Sequence, residues 1–126
     1  LNYAYSNFSG VKLKGVVGIA APTDLTSEPL REAGLEIPIQ QLIGKTFSDS
    51  PEEYQKASPF YIVSHKAPPL TMLFYGGKDR VVPKEQGEIL CFKLNLLRLN
   101  YRYYFYPEET HDFTADLLID KILSIY

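Results

Sequence analysis

Apolar residues along the chain gather into three dense runs, separated by stretches in which they recur at helical spacing or thin out. Val11-Lys-Leu-Lys-Gly-Val-Val-Gly-Ile-Ala-Ala21 alternates at first and then becomes continuously apolar, as a strand covered on both faces does. Pro22-Thr23-Asp24 stops it, with Asp24 as a cap or turn former. Leu70-Thr-Met-Leu-Phe-Tyr75 is too short for a typical helix and rich in large side chains, which predicts a buried strand. Pro68-Pro69 open it by removing backbone donors, and Gly76-Gly77 close it. Tyr101-Arg-Tyr-Tyr-Phe-Tyr106, ended by Pro107, predicts a third buried strand.

Helical patterns fill the intervals. Segment 26–66 has no strand signal and breaks at prolines into pieces around 28–33, 37–43 (ended by Gly44) and 51–57. Ser50 with Glu53 three positions on has the form of a capping box for the last of these. Pro83 opens a helix reaching about Leu99. Its apolar residues Ile89, Leu90, Phe92, Leu94, Leu96, Leu97 and Leu99 predict a helix largely buried against a sheet. Phe113, Leu117, Leu118, Ile122 and Ile125 place a final helix over 112–126. The first ten residues are polar and aromatic and end in a turn-like Asn7-Phe8-Ser9-Gly10.

The order strand, helical insert, strand, helix, strand, helix predicts an α/β fold: a parallel three-stranded sheet joined by right-handed crossovers. Residues 1–126 read as part of one domain, with 26–66 inserted between strands. Three strands are few for a parallel sheet, and the first would leave an unpaired backbone edge. The expectation is an incomplete sheet that self-associates through that edge. The chain opens on Leu1 and its one methionine is Met72, which agrees with a processed chain or a piece of a longer one. Any targeting signal would then lie upstream, and the compartment stays unassigned.

Composition narrows the functional classes. A net charge of -2 gives no basic face for nucleic acid or an anionic membrane. No apolar run reaches the roughly eighteen residues of a membrane span. Cys91 is the only cysteine, which rules out an intrachain disulfide, and it sits in a predicted helix as a small core residue.

Two side chains carry the candidate chemistry. Asp79 falls just past the end of the second strand and His111, in Thr110-His-Asp-Phe113, just past the end of the third. Open α/β sheets carry their working residues on such loops. If the strands are neighbours, both residues share one rim, and a carboxylate that orients a histidine makes it a general base. His65 in its polar lead-in reads as solvent-exposed. His111, Asp112 and Asp116 lack a second histidine nearby, and no metal is assigned to them.

The same residues resemble a family. Pro68-Pro-Leu-Thr-Met-Leu-Phe-Tyr-Gly-Gly-Lys-Asp-Arg-Val-Val-Pro83, followed by helix, strand and Tyr106-Pro-Glu-Glu-Thr-His-Asp-Phe113, is similar to the C-terminal half of an α/β-hydrolase, in the branch of esterases and prolyl-oligopeptidase-like peptidases. Ala21-Pro-Thr-Asp-Leu25, Leu42-Ile-Gly44 and Lys56-Ala-Ser-Pro-Phe60 resemble the intervening segments of feruloyl-type esterases. The resemblance implies Asp79 as triad acid and His111 as triad base, a small ester or peptide substrate, and no cofactor. Tyr75-Gly76 stands where the family often has His-Gly, and Asp112 where glycine often follows the histidine. A Gly-x-Ser-x-Gly elbow is absent from the 126 residues. The resemblance puts it before the first strand, upstream of Leu1 by about one strand–turn–helix unit of roughly 30 residues.

Overall fold

In the computed structural model, the described residues are 1–6 and 12–124. The turn anticipated at 7–10, the strand start at Val11 and the helix end at Ile125 and Tyr126 lie outside them. Three strands, β1 (Val16–Ile19), β2 (Leu70–Gly76) and β3 (Asn100–Tyr106), pair in parallel in the order β1-β2-β3. The register sets Val16 opposite Thr71 and Phe74 opposite Tyr104. This is the expected parallel sheet, with β2 at its centre.

Strand β1 is shorter than the apolar run predicts. Its partner begins at Leu70, because Pro68 and Pro69 have no N–H with which to extend the ladder. Residues 12–14 therefore have no strand to pair with on that side. Strand β2 is buried from Thr71 to Gly76. Strand β3 is not the buried strand expected: its residues are half-buried or exposed, and Phe105 is 40% exposed. With β2 on one side only, β3 is an edge of the described sheet.

The regular elements of the insert are all helices, among them α2 (Glu28–Leu30), α3 (Glu36–Ile43), α4 (Pro51–Lys56) and α5 (Pro59–Ile62), joined by turns. Gly34, at φ +107°, breaks α2 from α3, and Gly44, at φ +84°, caps α3 by donating its N–H to the carbonyl of Gln40 at 2.8 Å. The capping box at Ser50 does not form. The Ser50 side chain makes no cap bond, and Pro51 opens α4 without needing an N–H acceptor. Two short helices escape the pattern, α5 and α1 (Asn2–Tyr5), each barely one turn long. Tyr5 of α1 is buried and its hydroxyl shares a 2.8 Å hydrogen bond with Thr71 of β2.

Helix α6 (Glu85–Leu96) turns Gln86, Gly87, Leu90 and Leu94 inward, onto a core shared with Leu73 and Tyr75 of β2. The expectation of a largely buried helix fails on its outer side, where Phe92 and Leu96 are each 65% exposed. A helix packed on one sheet buries one stripe, and residues two and six positions after Leu90 fall outside it. The helix α7 (Ala115–Leu123) lies near the other face, where Phe74 stacks on Tyr104 and Lys121 sits over the Tyr104 ring. Tyr75 stacks on Tyr103 on the α6 side. The two faces thus have separate aromatic pairs, and both loops after β2 and β3 emerge at the same end.

Candidate active site

Glycine governs how the two loops meet. The N–H of Gly77 donates to the carbonyl of Tyr106 and that of Lys78 to Glu109, both at 2.9 Å. A side chain on Gly76 would collide with the carbonyl of Glu109, and one on Gly77 would stand 2.5 Å from the carbonyl of Pro107. Only glycines let the two backbones run this close.

Asp79 is held at that junction. Its side chain has 0% exposure, against 40% for His111. Oδ1 accepts the N–H groups of Val81 at 2.8 Å and Val82 at 2.9 Å. Oδ2 accepts Nδ1–H of His111 at 2.9 Å, across 32 positions of sequence. A buried carboxylate with all three bonds directed at it has one orientation, and it in turn fixes the ring and its tautomer. Nε2 is then the nitrogen left to take a proton. The structure brings together both residues singled out in the sequence.

The pair opens on a cleft of about 690 Å³ lined by residues 77–81 and 110–112. Lys78 pairs with Glu108 at 2.5 Å at the outer edge, where both are exposed. No serine lines the cleft. Ser58 is buried elsewhere, accepting the N–H of Leu25 and donating to the carbonyl of Tyr54, and Ser27 accepts the N–H of Leu30 at the start of α2. Among the described residues no three His, Cys, Asp or Glu side chains are grouped to share a metal. His65 is exposed, and Asp24 takes the turn role expected of it, Oδ1 accepting the N–H and the hydroxyl of Thr26.

Several contributors are invisible in the residue pattern. The amides of Val81 and Val82 act through the backbone, and no side-chain signal marks them. Tyr75, in the place of the family's frequent histidine, donates its hydroxyl to the carbonyl of Ala21 at 2.6 Å. Burial pushes its phenol far above the usual tyrosine range, so it stays a donor.

The model of the family described as BD-FAE matches residues 2–94, more than half of the chain and including Asp79. The chain belongs to the BD-FAE family. Solved structures share the fold of this BD-FAE chain, part of an α/β-hydrolase fold. A puromycin-hydrolyzing peptidase of Mycobacterium tuberculosis superposes with a TM-score of 0.70 at 21% identity, over 90% of this chain and 18% of that one. A truncated carbohydrate esterase from gut microbiota gives 0.73 at 20% identity, over 89% and 42%. An acetyl ester-xyloside bifunctional hydrolase of Caldicellulosiruptor lactoaceticus gives 0.65 at 21% identity, over 88% and 37%. The chain therefore spans less than half the length of each. No curated protein matched the sequence.

Proposed function

We propose that this chain supplies the acid and the base of a serine hydrolase acting on esters or peptides. The observation that carries the reading is the 2.9 Å bond from Nδ1–H of His111 to a fully buried Asp79 carboxylate, both lining an open cleft. In this reading a serine from elsewhere in the full-length gene product attacks the acyl carbon, and its proton passes to Nε2 of His111. Asp79 stabilises the imidazolium while the acyl–enzyme forms. The imidazolium then returns the proton to the leaving alcohol or amine, and a water molecule, deprotonated by His111, releases the acid. Without the nucleophile the 126 residues are inactive, since loss of one triad member costs on the order of a millionfold in kcat.

A fluorophosphonate probe tests this directly. Labelling of the full-length gene product but not of the 126-residue chain is expected. Labelling of the chain itself, or none of the full-length protein, overturns the reading. A second reading, a binding protein that keeps a hydrolase scaffold, is favoured by the lack of serine among the cleft residues. A Gly-x-Ser-x-Gly in the sequence preceding Leu1 decides for the enzyme, and its absence there for the scaffold.

We further propose that two copies of the chain associate through β1, which pairs only with β2 among the described residues and leaves Ile19 43% exposed. A monomer by light scattering at high concentration would sink that idea.

A further inference from the structure

Gln86 is 2% exposed, yet it lies in the first turn of α6 and carries an amide that could have faced water. Its Oε1 accepts two backbone N–H groups from the loop after β1, those of Thr23 and Asp24, each at 2.8 Å. Its own carbonyl accepts the hydroxyl of Thr23, a residue with 0% exposure, at 2.5 Å. Three hydrogen bonds between residues more than sixty positions apart thus clasp the start of α6 to the end of β1. A second tie runs beside the first. The Tyr75 hydroxyl bonds to Ala21 in the same loop, and its ring lies so close to Gly87 that a Cβ there would stand 2.6 Å from the ring carbon Cδ2.

We infer that Gln86 is a positioning residue for the Asp79–His111 pair. The inference rests on the reading of those two residues as an acid–base couple. The connection is short and continuous. Asp79 takes its orientation from the N–H groups of Val81 and Val82, and Val82 is itself buried at 2% exposure. Residues 81–84 have no helix or strand of their own to hold them. Their far end is the α6 turn, where the N–H of Gln86 donates to the carbonyl of Pro83 at 3.1 Å. The side chain of Gln86 fastens that turn to the sheet's rim, so the two amides, and through them the carboxylate, keep one place.

The test reads the tautomer of His111, which a merely structural role for Gln86 would leave unchanged in the folded protein. Long-range proton–nitrogen correlations on the 126-residue chain, at alkaline pH where imidazole is neutral, separate Nδ1–H from Nε2–H rings. The molecule has two histidines, and exposed His65 supplies the spectrum of an unconstrained ring. Lys78, Arg80 and Asp112, the other charged groups of the cleft, are unchanged in every variant.

His111 of the wild type is expected as the Nδ1–H form, and in Asp79→Asn, whose amide nitrogen donates to Nδ1, as the Nε2–H form. Gln86→Met, equal in length and without an acceptor, should lose about half or more of the Nδ1–H population. Gln86→Glu, which keeps the acceptor, should retain the wild-type spectrum. Thr23→Val, which removes one bond from the opposite side of the clasp, should move the same way as Gln86→Met and decides the matter if the latter does not fold. A wild-type tautomer in Thr23→Val, or in folded Gln86→Met, overturns the inference. Failure of the serine-hydrolase reading would show separately, in probe labelling of the full-length product.

Discussion

The N–H of Gly77 donates to the carbonyl of Tyr106 at 2.9 Å, and that bond lays the loop carrying Asp79 against the loop carrying His111. The two residues end adjacent strands, and any side chain at position 77 enters the space of Pro107. Gly77→Ala should therefore destabilise the chain by about 1–3 kcal/mol, the usual cost of overpacking against backbone. Gly76→Ala, facing the carbonyl of Glu109, belongs in the same range. Urea unfolding measures both, and a change below about 0.5 kcal/mol would show that the loops part without penalty.

Asp79 has two separable duties, one per oxygen. Oδ1 holds the turn at Val81 and Val82, and Oδ2 holds His111. Asparagine keeps an acceptor for the turn and presents an amide nitrogen to the ring, which favours the wrong tautomer. In the full-length product Asp79→Asn should lower kcat/KM on an ester substrate by about 10³–10⁴ with the fold intact. His111→Ala should do at least as much. Turnover with either variant within about tenfold of wild type would remove both residues from the reaction.

How much of this can be read from sequence depends on what fixes each feature. The limits of β2 are legible because Pro68-Pro69 and Gly76-Gly77 allow little else, and they bring Asp79 to a rim with His111. The length of β1 is not, because it is set by where its partner's ladder starts. The outward-facing Phe92 and Leu96 mislead for a related reason: an apolar run states how much surface wants burial, and the neighbours decide how much gets it. The Ser50–Glu53 pair has the right residue types for a capping box, but Ser50 adopts φ -146° and ψ 67° and its side chain makes no cap bond. The clasp at Gln86 joins backbone groups that carry no residue signature.

Arg98 occupies a position that glycine suits better. It has φ +56° just beyond α6. Its N–H donates to the carbonyl of Asn95 at 3.0 Å, and that of Leu99 to Leu94 at 2.9 Å, the paired bonds of a left-handed helix ending. Its side chain is exposed. Arg98→Gly should stabilise the chain by roughly 0.5–1 kcal/mol, with Arg98→Val worse than wild type. Thermal unfolding of the three proteins orders them, and a lower Tm for the glycine variant would contradict the assignment.

Alkali should destabilise the chain, because the folded protein holds protons that the unfolded chain gives up. Burial pushes the Cys91 thiol from 9.0 up to about 11, and the Tyr5 and Tyr103 phenols from 10.0 up to about 12. Each group is neutral when protonated and is protonated longer in the folded state. Its contribution is therefore complete below the unfolded value and is lost as pH climbs through the folded one. The Tm should be level to about pH 8.5 and fall from about pH 9 to 12. Tyr103 gives a sharper form of the test, since its hydroxyl is buried with no hydrogen-bond partner among the described residues. Tyr103→Phe keeps the ring stacked on Tyr75 and discards the unsatisfied group. It should hold or raise stability at neutral pH, by up to about 1 kcal/mol, and make the alkaline fall shallower. A Tyr103→Phe protein that is less stable at neutral pH, or that loses stability with alkali as steeply as wild type, would show that the hydroxyl has a partner and that its proton plays no part in the transition.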